Sequence, residues 1–248
     1  LNLISVVVPN LNEEKVLPYF LSSLNSQVFK RFELIVVDGG STDRSLALIR
    51  HYQYDFPYRI LVDTTRNLGY IRNLGARVAK GDVLFFTNSD AVLPYHLLNG
   101  LAWRFSDSKL MALSGRTVPY EGGSLCFTAY YCFDLLRAFM AKYMRKFSPS
   151  GNFLAIRKDL FWRLKGFPEA SVNEDGLLGQ KISAYSREHG LKASFEMSLE
   201  TGHFAKRFTK GPLKTLMFYS YVFGNFNSVL ARLLAPVTRT SGEAFKRK

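Results

Sequence analysis

Five places in the chain carry residues whose types and spacing could do chemistry. Polar clusters follow three apolar, β-branched runs: Asn10-Leu11-Asn12-Glu13, Asp38-Gly39-Gly40-Ser41 and Asn88-Ser89-Asp90. Later, Glu174 and Asp175 open a helical pattern, and His203 stands in Thr-Gly-His203-Phe-Ala-Lys206-Arg207. A carboxylate can ligate a hard divalent cation or take a proton from a hydroxyl. Asp175 lies in a first helical turn, the positive end of the helix dipole. Each cluster alone has a plainer reading. Asp-Gly-Gly and Asn-Ser-Asp are turn sequences, acids are frequent in first helical turns, and an isolated histidine is commonly satisfied by its neighbours. Three polar tips on one sheet edge are much more specific than any one of them.

The elements that would position these residues alternate. Leu3–Val8 reads as a buried strand stopped by Pro9, and Asn12 is placed to cap the next helix, with Glu13 and Glu14 at its positive end. Leu17, Phe20, Leu21 and Leu24 give that helix its apolar stripe. Strand Glu33–Val37, helix Thr42–Tyr54, strand Tyr58–Val62, helix Gly69–Ala79 and strand Val83–Thr87 follow. Strands alternating with single helices predict parallel βαβ units in a doubly wound α/β sheet, and such sheets bind ligands beyond the carboxyl ends of their strands. After residue 110 the pattern loosens. Met111–Arg116 and Asn152–Ile156 read as strands; Leu125–Phe147, Arg157–Leu164 and Glu174–Glu188 read as helices. The run Tyr130–Phe133 reads as core, and both tryptophans, Trp103 and Trp162, as core or acceptor-side packing.

The 248 residues, 47% of them apolar, suffice for one large domain with an appendage. The boundary is expected near 210, with 211–248 a basic amphipathic helical segment. Two cysteines support no disulfide framework and suggest a reducing compartment. The net charge of +13 is uneven. Residues 1–136 hold 13 basic and 12 acidic side chains, whereas 137–165 hold 8 and 1, and 203–248 hold 9 and 1. Both basic segments interleave aromatics, a pattern suited to nucleic acid or to an anionic membrane surface, although either segment alone reads as a solvated helix face. A near-neutral first half argues against nucleic acid as the main ligand. The uncharged run 215–231 contains Asn225, Asn227 and Ser228, which a lipid-facing helix would bury at a cost, so no transmembrane helix is expected. The chain has no G-x-G-x-x-G and no G-x-x-x-x-G-K-[ST], which removes the usual dinucleotide and P-loop readings.

The order of the motifs resembles family 2 glycosyltransferases of GT-A fold, over roughly residues 3 to 207. The resemblance rests on Val8-Pro9-Asn-Leu-Asn12-Glu13, Asp38-Gly-Gly-Ser-Thr-Asp43, Arg72-Asn73-Leu-Gly75, Asn88-Ser-Asp90, Gly151-Asn152 through Arg157, Gly166-Phe167 and Asn173-Glu174-Asp175. It implies an inverting, Mn²⁺- or Mg²⁺-dependent transferase using a nucleotide-diphosphate sugar. By motif position Pro9, Asn12 and Glu13 line the nucleoside pocket, and Asp38 hydrogen-bonds a uracil or guanine base. Arg72 sits near the base or diphosphate, and Asn88 and Ser89 complete the nucleotide site. Asp90 ligates the metal, with His203 as a further ligand, and Asp175, beside Glu174, is the base. Asn88 takes the first position of the family's D-x-D element, so one negative charge is missing from the cation site.

These implications and the basic–aromatic segments together predict a glycosyltransferase at the cytoplasmic face of a membrane, acting on a lipid-linked or membrane-presented glycan. Two alternatives stay open: a polyprenyl-phosphate sugar synthase, whose phosphate nucleophile hardly needs a base, and a basic polyanion-binding protein without catalysis.

Overall fold

The computed structural model describes residues 3–65, 67–121, 123–168 and 173–204. The expected appendage 211–248, with its uncharged run, lies outside them. Eight strands form one mixed sheet in the order β3-β2-β1-β4-β7-β6-β8-β5. Strands β1 (Ile4–Asn10), β2 (Phe32–Asp38), β3 (Tyr58–Val62) and β4 (Val83–Phe86) are parallel neighbours. β5 (Ala91–Val92) is short, β6 is Leu110–Pro119, and β7 (Leu154–Arg157) runs antiparallel to both β4 and β6. β8 (Lys192–His203) lies parallel to β6 and antiparallel to β5.

Alternation along β1 builds the two core layers. Ile4, Val6 and Val8 face a layer with helix α1 (Leu17–Asn25), whereas Val7 faces the layer of α3 (Leu68–Val78). The remaining helices are α2 (Ser45–His51), α4 (Leu97–Arg104), α5 (Ser124–Tyr143), α6 (Lys158–Arg163) and α7 (Glu174–Glu188). Among the described residues, no helix is long and apolar enough to cross a membrane.

The structure corrects several boundaries. β1 does not stop at Pro9, which pairs with Val37 of β2. On the other side the β1–β4 ladder ends at Val7 and Phe86, so the missing Pro9 N–H breaks no bond there. Asn12 does not cap α1, whose N-cap is Val16 without a side-chain bond. Its Oδ1 instead accepts the Thr42 N–H at 2.8 Å, and Asp43 Oδ1 and Glu14 Oε2 take the N–H groups of Ser45 and Arg44. These side chains hold 42–44 as a loop, so α2 starts only at Ser45. Trp103 is exposed and so not a core residue, with Arg104 4.6 Å from its ring.

β8 was absent from the sequence reading. Its signal is the period-two set Phe195, Met197, Leu199, and its ladder with β6 carries a register shift between Gly115 and Arg116. Gly115 itself marks a close approach: a Cβ there would overlap the fully buried Phe153 ring. Gly115→Ala is expected to cost about 3 kcal/mol, since a packed ring cannot yield without moving β7. A urea melt showing an unchanged midpoint would contradict that packing.

Candidate active site

The parallel strands deliver their carboxyl ends to one edge, with Asn10 of β1 paired to Asp38 of β2. Asp38 is fully buried and four-fold hydrogen-bonded. Oδ1 accepts the N–H groups of Gly40 and Ser41 at 3.0 and 2.8 Å; Oδ2 accepts Ser41 Oγ and Asn10 Nδ2, both at 2.7 Å. Donation to a carboxylate fixes which end of the Asn10 amide is nitrogen. Asn10 Oδ1 is therefore turned away, buried, with no hydrogen-bond partner among the described residues. The sequence reading assigned no role to Asn10, although it stands inside the first polar cluster. Asn12 and Glu13 tie the β1 tip to the β2 loop, Asn12 through Ser41 and Thr42, Glu13 through its N–H to Ser45 Oγ at 2.8 Å.

Helix α3 is capped by Asn67 Oδ1 on the Tyr70 N–H, and its fifth residue is Arg72. Arg72 is no solvated surface arginine, for it is 1% exposed. Nη1 donates to Glu174 Oε1 at 2.5 Å, and Nη2 donates to Asn88 Oδ1 at 3.2 Å and the Gly151 carbonyl at 2.8 Å. Its guanidinium lies 5.3 Å from the Phe167 ring. One cation thus joins α3, the tip after β4, the turn before β7 and the start of α7. Asn88 Nδ2 in turn donates to Asn152 Oδ1. Burial pushes the Glu174 carboxyl above its usual range, Arg72 pulls it back down, and the neighbouring Asp175 charge pushes it up again.

Asp175 occupies the first turn of α7, its Oδ1 accepting the Gly176 N–H at 2.9 Å. A Cβ on Gly151 would stand 3.2 Å from Asp175 Oδ2 and 3.6 Å from Arg72 Nη2, so a side chain there would crowd the carboxylate and the guanidinium. The helix begins from Asn173 in the left-handed region (φ 62°), which asparagine tolerates better than most residues.

Asp90 and His203 come together through the sheet. Ala91 of β5 pairs with His203 of β8, and the Phe204 N–H reaches the Asp90 carbonyl at 3.2 Å. Asp90 Oδ1 is buried with no hydrogen-bond partner among the described residues, and His203 is 7% exposed, its ring 5.3 Å from Tyr130. Among the described residues no three His, Cys, Asp or Glu side chains gather into one metal cluster. The orphaned Asp90 oxygen is a hard donor of the kind a divalent cation takes alongside phosphate and water. Ser89, between Asn88 and Asp90, is buried, and Pro9 is half-buried.

Beside this edge, β6 and α5 enclose an open cleft of about 330 Å³ lined by Arg116, Thr117, Phe127, Thr128, Tyr131 and Asp134, among others. Thr117 Oγ1 lies 2.9 Å from Ser150 Oγ, next to Gly151. Asp134 is buried, pushed up to about 6 by desolvation, and held by the Thr117 N–H and by Arg137 at 3.2 Å. Tyr130 is buried as expected, but Tyr131 is half exposed and forms part of the cleft wall.

The family model for Glycosyl transferase family 2 matches residues 5–164. The chain belongs to this family. Among curated relatives it is 26% identical to the O-antigen chain rhamnosyltransferase RfbN of Salmonella typhimurium over 190 residues, 72% of this chain and 60% of that one. The chain thus spans under two thirds of that relative's length. In fold it is similar to the mannosyltransferase PcManGT of Pyrobaculum calidifontis, solved with GDP-Man and Mn²⁺. That match has TM-score 0.68 and 23% identity, covering 86% of this chain and 59% of that one. It is also similar to Staphylococcus aureus TarS solved with UDP-GlcNAc, with TM-score 0.64 and 22% identity over 81% of this chain and 58% of the other. The mixed sheet with flanking helices is accordingly of the GT-A type.

Proposed function

We propose that this chain transfers a sugar, with inversion, from a nucleoside diphosphate sugar to a hydroxyl of a glycan acceptor that is lipid-linked or presented at an anionic membrane. The observation that carries the reading is buried Arg72, which ties the tip after β4 and the Gly151 turn to the acidic start of α7 on the sheet edge where Asn10 and Asp38 also meet. The family match and the nucleotide sugars named for the two similar structures support it.

The nucleoside lies against Pro9, Asn12, Glu13, Asn88 and Ser89. Asp38 acts on the base through Asn10: with its own acceptor positions filled, it orients the Asn10 amide so that Oδ1 receives an N–H of uracil or guanine. Asp90 and His203 hold the divalent cation. When bound, Mn²⁺ or Mg²⁺ neutralises charge on the diphosphate leaving group. Asp175 takes the proton of the acceptor hydroxyl as its oxygen bonds to the anomeric carbon. The bond from that carbon to the diphosphate oxygen breaks, its electron pair leaving with the nucleoside diphosphate. Arg72 positions Asn88 and the Glu174–Asp175 turn about that point.

The test is titration calorimetry with UDP and GDP, each with and without Mn²⁺. One nucleotide is expected to bind, more tightly with metal. Asp90→Ala is expected to weaken binding about tenfold with Mn²⁺ and hardly at all without it, because the charge lost is the cation's ligand. Absence of binding by either nucleotide in the presence of metal would end the reading.

A further inference from the structure

Helix α5 turns its apolar side to solvent. Its inward stripe is Cys126, Tyr130, Asp134 and Arg137, all buried, and it contains an aspartate–arginine ion pair. Its outward row is Phe127, Tyr131, Leu135, Phe139 and Tyr143, each between 41% and 66% exposed. Residues four apart lie one above another on a helix, and twenty residues make a row about 30 Å long. A helix on the surface of a soluble protein ordinarily carries the opposite arrangement. Five large apolar side chains in one row form a contiguous patch of the kind that marks an interaction surface, unlike hydrophobes scattered singly.

We propose that this row docks on an anionic lipid surface, with α5 lying in the plane of the interface. Charge selects the occupant. At the end of the row stand Lys142, Arg145 and Lys146, all exposed. The sole acid in 124–147 is Asp134, which faces inward against Arg137. The tail 205–248 carries nine basic residues and one acidic, so laying it there would set positive charge on positive. A second copy would bring the same basic residues again. Anionic headgroups neutralise the basic end while the aromatic row enters the acyl boundary, the arrangement of interfacial helices. Lys142, 5.2 Å from the Tyr143 ring, is placed to reach headgroups over an apolar stem.

Docking has a consequence for the site, which rests on the transferase reading. Phe127 and Tyr131 belong both to the row and to the cleft beside Thr117 and Ser150. A surface-bound α5 thus sets the cleft at the lipid face, where an acceptor carried by a lipid would enter.

The test is co-sedimentation of the full chain with phosphatidylcholine vesicles, with and without phosphatidylglycerol. Binding is expected only with the anionic lipid and weakens with salt. Leu135→Ser/Phe139→Ser is expected to reduce partitioning about tenfold or more while nucleotide affinity stays unchanged. As a second readout, the indole introduced by Phe139→Trp is expected to shift to the blue on vesicles and to be quenched by brominated lipid. Three results would each overturn the proposal: no binding by the wild type, equal binding by the double variant, or self-association abolished by that variant without any lipid binding. The vesicle assay uses neither donor nor acceptor and the calorimetry uses no lipid, so failure here is distinct from failure of the transferase reading.

Discussion

Asp175→Asn is expected to lower sugar transfer about 10³-fold, the scale of a lost general base. The amide keeps the size of the side chain and its oxygen still accepts the Gly176 N–H, which holds Asp175 Oδ1 at 2.9 Å. What is lost is the capacity to take the acceptor proton. Nucleotide affinity should stay within about twofold, since the groups proposed to hold the nucleoside lie on β1, β2 and the tip after β4. Transfer measured with the sugar donor of whichever nucleotide binds in calorimetry checks this. Turnover within about tenfold of wild type would remove Asp175 from the role.

Arg72→Met is expected to be the most destabilising substitution near the site, costing about 3–5 kcal/mol at neutral pH. It leaves Glu174, whose side chain is 7% exposed, as a buried charge without its cation. The sign of the pH dependence follows from linkage. Burial already raises the Glu174 carboxyl, and removing Arg72 deletes the influence that lowers it. A carboxyl raised in the folded state favours folding below its unfolded pKa, and that contribution is lost as pH rises through the folded value. The variant should therefore lose most stability at neutral pH and recover part of it on acidification towards the ordinary carboxyl range. Arg72→Met/Glu174→Gln should recover most of the loss, because no charge is then left unpaired. Urea melts of the three proteins at pH 5 and pH 7.5 decide it. A single variant equally destabilised at both pH values would show that the cost is packing, including the Phe167 contact, and not charge.

Arg72 also shows where reading the sequence stops. Its place in Arg72-Asn73-Leu-Gly75 marks it for the site, yet by spacing it is one more helix residue. Burial came from partners at Asn88, Gly151 and Glu174, the last 102 positions away. Asn10 is similar. Its cluster was visible, but the orphaned oxygen follows from the Asp38 carboxylate laid beside it by the β1–β2 register. Asp90 and His203 lie far apart in sequence, and only the β5–β8 pairing makes them neighbours. That pairing was itself hidden, because β5 has only two residues, too few to show an alternation.

Along the chain, what can be read is what local physics controls: β-branched runs that must be strands, polar tips that must leave the sheet, and acids that favour a helix start. These determined the parallel half of the sheet, while the family was carried by the resemblance of the ordered motifs. The outward face of α5 was beyond such reading. Its sequence interleaves Tyr130, Tyr131, Asp134 and Leu135, and period alone cannot say which stripe turns inward. The tertiary structure decided it, because Asp134 found the Thr117 N–H on β6 and Arg137 on its own helix. An ionised pair satisfied indoors leaves the aromatics on the other side of the helix facing out.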